Sequence, residues 1–238
     1  KINILKGGMI FSDIINTVSP TYSKEIQTKE FGFGLEGVLG KRKKDVFGIL
    51  NGLDYSIWNS ETDRFIIKNY SLSNIEDKYK NKEELQKICK LPIKEDVPLF
   101  GIVSRLAEQK GFDLLAALIE IICKMNLQLV ILGTGDLKYH ILLENIVKKY
   151  PKIISLHLKF DDSLAHKIYS GSDIFLMPSK YEPCGLGQMI SLRYGTIPLV
   201  FKTGGLADTV GADNGFVFDN YKKEDLIKTM EQAMRVFK

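Results

Sequence analysis

The sequence predicts an α/β fold, a parallel sheet with helices on both faces. Short runs rich in apolar and β-branched residues alternate with longer helical patterns from about residue 97 onward. Those runs are apolar at nearly every position rather than at every second one, the pattern of strands covered on both faces. Strand–helix–strand alternation of this kind implies parallel pairing through right-handed crossovers. A chain of 238 residues, 45% hydrophobic and 26% charged, is long enough to bury a sizeable core.

The expected strands are Leu99–Ser104, Leu127–Leu132, Ile153–Leu158, Ile174–Met177 and Ile197–Phe201, with an earlier one at Val46–Leu50 and a late one at Phe216–Phe218. Between them lie helical patterns. Gly111–Lys124 carries Leu114, Leu115, Leu118, Ile121 and Ile122 at helical spacing, and Leu137–Lys149 carries Ile141, Leu142, Ile146 and Val147 on one stripe. Ser163–Ser170, Leu186–Tyr194 and Lys222–Phe237 follow, and Lys78–Lys94 reads as a charged, exposed helix and surface turn. Residues 1–45 differ, with a helix starting near Pro20 and then a stretch punctuated by Gly32, Gly34, Gly37 and Gly40. They read as the tail of a preceding domain plus a crossing linker, leaving 46–238 as the main domain. The chain opens Lys1-Ile2-Asn3-Ile4, with neither an initiator methionine nor a signal-peptide pattern, so a start inside a longer protein is expected.

Bulk properties exclude several classes of function. Net charge is +4 and spread out, and its densest basic run, Lys41–Lys44, suits a solvated loop better than a nucleic-acid face. Cys89, Cys123 and Cys184 are far apart and show no C-x-x-C spacing, which argues for reduced thiols in an intracellular protein rather than zinc or disulfides. No apolar stretch has the length of a membrane span. No two aspartates stand in D-x-D spacing, so a metal-dependent diphosphate site of that kind is not expected, and no metal is called for. His140, His157 and His166 all fall outside the candidate loops and read as structural.

Ligands of such sheets bind beyond the carboxyl ends of the strands, so the loops found there carry the chemistry. Ser104–Gly111 places Arg105 at a strand end and Lys110 before a helix. Two cations beside a helix N-terminus suit a diphosphate, and a solvated loop with an Arg105–Glu108 surface pair is the alternative. Gly133-Thr134-Gly135-Asp136 lets backbone pass close to a ligand, or makes a tight turn with Asp136 as helix cap. The dinucleotide fingerprint fails at Lys138. Phe160 either stacks on a base or plugs the core, and Asp161 or Asp162 caps the next helix. Tyr181-Glu182-Pro183-Cys184-Gly185-Leu186 sets a rigid carboxylate facing a helix start, where free amides suit phosphate and Glu182 addresses sugar hydroxyls or developing positive charge. Cys184 reads as a packed thiol. Thr203, Gly204 and Gly205 permit close approach to a ligand, or form a turn capped by Thr203.

These motifs resemble the bacterial glycogen synthase and plant starch synthase family. The resemblance rests on Ser104-Arg105-Leu106 with Gln109-Lys110-Gly111, Tyr181–Leu186 and Lys202–Val210. It extends to Gly32–Leu39, to Asn51-Gly52-Leu53-Asp54 with Trp58 and Glu61-Thr62-Asp63, and to Thr17–Ser23. It runs in order over nearly the whole chain. It implies the GT-B arrangement, two Rossmann-like domains facing across a cleft, with this chain holding a remnant of the first and most of the second. It also implies glucosyl transfer from ADP-glucose to an α-1,4-glucan with retention. Arg105 and Lys110 match the pair that binds the donor diphosphate, and Glu182 matches the acidic residue at the glucosyl site. Gly185 and Leu186 match the helix start that offers amides to phosphate, and Phe160 falls where an aromatic meets the adenine.

Many related transferases carry a second Glu eight positions after the first, for the ribose; here that position is Ile190, so ribose recognition must use something else. The family's first-domain donor loop and glucan-binding face are absent and its closing segment is cut short after Lys238, so the polypeptide alone is expected to bind donor weakly and catalyse nothing. The missing first domain is its expected partner, and a cytoplasmic location is expected, or a plastid in a plant or alga. Other readings are a non-catalytic nucleotide-sugar module and a sucrose or trehalose-phosphate synthase type. Cys184 within Glu182–Leu186 and the Thr203–Val210 run favour the glucan branch.

Overall fold

The computed structural model describes residues 2–237; Lys1 and Lys238, and the expectations placed on the two chain ends, lie outside the described residues. The chain opens with α1 (Ile4–Phe11), β1 (Ile15–Thr17), α2 (Pro20–Glu25), α3 (Glu36–Lys41) and β2 (Val46–Gly48). Ser19 caps α2 by accepting from Tyr22 N at 2.8 Å, and Pro20 at the first helical position has no N–H to satisfy. β1 and β2 pair in parallel as a separate two-stranded sheet. The Val46–Leu50 strand therefore belongs with the N-terminal elements and not with the main sheet, a correction to its expected company.

The main sheet comprises β3 (Leu99–Val103), β4 (Gln128–Leu132), β5 (Ile154–His157), β6 (Ile174–Met177), β7 (Ile197–Phe201) and β8 (Phe216–Phe218). Its order is β5-β4-β3-β6-β7-β8, with every neighbouring pair parallel. The connections run through α5 (Phe112–Ile122), α6 (Leu137–Lys149), α7 (Asp162–Gly171), α8 (Gly187–Arg193) and α9 (Gly204–Thr209). α4 (Lys78–Ile88) precedes the sheet and α10 (Lys223–Phe237) follows it.

The all-apolar strands have the expected cause. Phe100, Ile102, Leu129, Ile131, Ile174 and Leu176 pack on one face with residues of α5, α6 and α10. Leu99, Val130, Leu132 and Phe175 pack on the other with Leu85 of α4, Leu164 and Ile168 of α7 and Ile190 of α8. Alternate residues thus serve two cores, and each fully buried Leu, Ile or Phe contributes about 1.5–3 kcal/mol of transfer free energy.

Local structure departs from the sequence reading in five places. α1 and β1 were not expected, α3 forms inside the glycine-rich stretch, and α9 begins on Gly204, where a ligand-approaching loop and a turn capped by Thr203 stood as alternatives. The fifth is α4, which is not the exposed helix its charge suggests. Asn81, Lys82, Leu85 and Gln86 are buried. Lys82 pairs with Asp173 at 2.7 Å, and Lys78 Nζ donates to the Ser170 and Tyr194 carbonyls and to Thr196 Oγ1. Burial holds the Lys78 ammonium down to about 7, against the attraction of Asp173. Among the described residues no helix is long and apolar enough to cross a membrane.

Candidate functional site

The strand order reverses between β3 and β6. The chain leaves β3 toward β4 on one side and leaves β6 toward β7 on the other, so the loops at their carboxyl ends diverge and open a crevice. The β3 loop stays beside the β4 loop, since Leu106 N donates to Thr134 O at 3.0 Å and Asp136 N to Leu106 O at 2.8 Å. Gly133, at φ 155°, and Gly135 make this possible, because a Cβ at either would strike the Ser104 or Leu106 carbonyl. Both glycines accommodate protein backbone here. Gly135 N further donates to His140 Nε2 at 3.0 Å, whereas the Asp136 side chain makes no cap bond, contrary to expectation.

Past that contact, Arg105 stands exposed and reaches Gln109 Oε1 at 3.4 Å rather than Glu108. The loop tightens into a single turn, Glu108–Lys110, and ends on Gly111 at φ 82°. A Cβ on Gly111 would strike the Pro178 carbonyl, so the glycine lets the β3 loop lie against the β6 loop. Lys180 N donates to Gln109 O at 2.9 Å across the same seam. The result is a direct meeting of Lys110 and Glu182 at 2.5 Å, with Ser179 Oγ donating to the same carboxylate oxygen at 3.0 Å. The Lys110 side chain is 16% exposed and that of Glu182 8%.

Glu182–Cys184 is braced from behind. Gly205 N donates to Glu182 O at 3.1 Å, and Cβ atoms at Gly204 or Gly205 would collide with the Glu182 or Cys184 carbonyls. Gln188 Nε2 donates to the Cys184 and Gly185 carbonyls and to Thr209 Oγ1, each at 3.0 Å. Cys184 is buried, as expected of a packed thiol, and Leu186 is the half-exposed residue preceding α8. The Thr203–Gly205 loop meets a carboxylate of its own chain: Glu25 accepts from Thr203 Oγ1 at 3.0 Å and Gly204 N at 2.9 Å. Thr203 therefore caps no amide with its side chain. In return Asp208 of α9 accepts from Ser19 Oγ, Thr21 N and Thr21 Oγ1 at 2.5, 3.0 and 2.6 Å. The two short helices cap one another.

A cavity of about 300 Å³ lies at the carboxyl ends of β3, β4 and β5, lined among others by Trp58, Arg105, Gly133, Phe160 and Ile190. Phe160 is 88% exposed at its rim, which rules out the core-plug reading. Asp161, not Asp162, caps α7 by accepting from Leu164 N at 2.9 Å. A larger cavity, about 880 Å³, opens beside β7, β8 and α10 and contains neither Lys110 nor Glu182. Sequence reasoning set His166 aside as structural. It is buried, paired to Asp63 at 2.7 Å, and stacked on Trp58 at the cavity.

Residues 83–236 match the family described as glycosyl transferases group 1, and residues 1–41 match the starch synthase catalytic domain. The chain belongs to the group 1 glycosyl transferases. Among relatives, this group 1 transferase is 55% identical over 245 residues to the glycogen synthase of Thermosipho africanus, covering 100% of this chain and 50% of that protein. It is 50% identical over 244 residues to the glycogen synthase of Thermotoga maritima, with the same coverage of each. It spans about half the length of these curated relatives. Among solved structures, the catalytic domain of starch synthase IV from Arabidopsis thaliana, bound to ADP and acarbose, superposes with a TM-score of 0.92 at 37% identity, over 100% of this chain and 51% of that one. The sucrose-phosphate synthase of Thermosynechococcus elongatus shares the fold at a TM-score of 0.67 and 18% identity, over 98% of this chain and 52% of that one. The group 1 transferase chain thus has the α/β, Rossmann-like architecture of a GT-B half, as its motifs implied.

Proposed function

We propose that this chain is the donor-binding part of a glycogen synthase, which moves glucose from ADP-glucose to the non-reducing end of an α-1,4-glucan with retention. The observation that carries the proposal is the meeting of Lys110 and Glu182 at the strand-order switch, beside the cavity that Arg105 borders. Glycogen synthase relatives at 50–55% identity and the ADP-bound starch synthase support the choice of substrate.

In this reading the donor diphosphate lies between Arg105, Lys110 and the amides at Gly185, Leu186 and the start of α8. Cleavage of the glycosidic bond builds negative charge on the diphosphate and positive charge on the sugar. Arg105 and Lys110 oppose the first, and Glu182 faces the second; preorganised charge of this kind is the usual major source of rate. The diphosphate leaves on the face where the glucan 4-hydroxyl attacks, and no metal is needed. Gly133, Gly135, Thr203, Gly204 and Gly205 shape the loops around the donor, Cys184 packs beneath it, and Phe160 covers the adenine. The N-terminal elements through β2, which pairs with β1, are the tail of a first glycosyltransferase domain, and the main sheet with the helices that cover it is the second domain. The exposed apolar residues Ile4, Phe11 and Phe33 fit a partner surface contributed by the rest of that first domain. A cytoplasmic location accords with this role.

The test is glucan synthesis by the complete enzyme carrying this chain, comparing ADP-glucose with UDP-glucose. ADP-glucose is expected to be the better donor, and Arg105→Ala and Lys110→Ala are each expected to lower kcat/KM at least tenfold. Unchanged kinetics in both variants would remove the diphosphate assignment.

A further inference from the structure

We infer that Trp58 is a nucleoside-contacting residue of the donor site, and that His166 and Asp63 are the positioning residues that hold it there. The inference rests on the donor-binding reading above and deepens it. Arg105 borders the 300 Å³ cavity, so a nucleotide whose phosphates meet Arg105 has that space for its nucleoside. Ile190, 5% exposed, brings no polar group to the cavity, while Trp58 brings a flat aromatic surface. Base and ribose both pack favourably on an indole.

Trp58 belongs to the long segment between β2 and α4, which has no sheet to fix its side chains. A buried polar group does so instead. Asp63 Oδ2 accepts from Tyr194 OH at 2.6 Å and lies 2.7 Å from His166 Nδ1. Asp63 and His166 are 6% and 3% exposed. The His166 ring then stacks on Trp58 with centroids 4.1 Å apart and planes 12° from parallel, and Tyr169 meets the indole edge-on at 5.6 Å. The Asp63 bond sets the plane of the imidazole, and the imidazole sets the plane of the indole. Burial pushes the Asp63 carboxyl up, but hydrogen bonds from His166, Tyr194 and Phe65 N outweigh it and hold it below the usual range, so the acceptor persists at neutral pH. The transfer chemistry proposed above gives this buried group no task. Its place behind Trp58 does.

Trp58 is the only tryptophan of the chain, so its emission reports on this site alone. The 238-residue chain is titrated with ADP while heat and tryptophan emission are followed in parallel. The emission is expected to change and to saturate with the calorimetric Kd. Trp58→Ala is expected to weaken ADP binding about tenfold, and Trp58→Phe, which keeps an aromatic face, only about twofold to threefold. His166→Gln and Asp63→Asn are expected to shift the emission of the unliganded chain and to weaken ADP about threefold with unchanged far-UV circular dichroism. The wild-type titration needs no variant, so the inference stays open to refutation if Trp58→Ala does not fold. Calorimetric ADP binding with silent emission and an unchanged Kd in Trp58→Phe and His166→Gln would overturn the role of Trp58 and leave the donor reading standing. A complete enzyme carrying this chain that binds no ADP would overturn both.

Discussion

Lys110 and Glu182 stand 72 positions apart in the sequence, yet the Lys110 ammonium lies 2.5 Å from a Glu182 carboxylate oxygen. Each is held by backbone on the far side of a strand-order reversal. The pair neutralises a carboxylate that is otherwise costly to bury, and under the proposed function it sets a cation beside the leaving diphosphate. Replacing Lys110 by Ala leaves Glu182 with Ser179 alone. Loss of about 2–3 kcal/mol in urea unfolding is expected, together with weaker ADP binding. Glu182→Gln keeps the hydrogen-bonding shape, so it should cost under about 1 kcal/mol of stability while sharply reducing glucan synthesis.

The glycines behind the site are predicted to be intolerant of a methyl group. Gly204→Ala would drive a Cβ into the Glu182 carbonyl at a positive φ of 42°, and Gly133→Ala would drive one into the Ser104 carbonyl. Each should destabilise the chain by about 2–3 kcal/mol, seen as a lower urea midpoint. Gly37→Ala, where a Cβ meets nothing, should be neutral or stabilising and serves as the control.

Lys78 should leave a signature in the pH dependence of stability. Its folded pKa, about 7, lies below the ordinary lysine value, 10.5. Between those two values the unfolded chain binds the proton and the folded chain does not, so this contribution to stability rises with pH, by up to about 1.4 kcal/mol per unit. Below pH 7 both states are protonated and the slope vanishes. Lys78→Met should therefore flatten the curve between pH 7 and 10 in chemical denaturation. An unchanged slope would refute the assignment.

Mutual capping of α2 and α9 should be separable from the chemistry of the pocket. Asp208→Ala removes the acceptor for Ser19 and Thr21 and should cost about 1–2 kcal/mol. Asp208→Asn keeps one acceptor and should cost about half as much. Differential scanning calorimetry of the two variants measures the difference.

All three thiols are buried, and burial pushes those of Cys89 and Cys123 up to about 11. Since the thiolate is the reactive form, a disulfide reagent at pH 8 should label the folded chain slowly at every cysteine and quickly once urea unfolds it. Rapid labelling of Cys184 in the folded chain would contradict its packed position.

Strand positions were legible because burial on both faces leaves a simple signal. The run Leu127–Leu132 yields a strand one residue shorter, Gln128–Leu132. Arg105, Lys110 and Glu182 were legible from their place after strands, without any knowledge of their partners. α9 was not: a Gly-Gly start costs helix propensity, about 1 kcal/mol per residue, and only the close approach to Glu182 and Cys184 explains it. Lys78 and Lys82 misled for a different reason. Charge along a helix reads as surface, and the carbonyls and Asp173 that receive these lysines come from remote segments. Asp63 and His166 are 103 positions apart and form no motif, so nothing local announces their bond.

The exchange of caps between Glu25 and Asp208 has a mechanical consequence. Swinging α2 away from α9 would strip acceptors from Thr203, Gly204, Ser19 and Thr21 together. The contact is thus pinned at both ends, and one pin sits on Gly204, directly behind the Glu182 carbonyl.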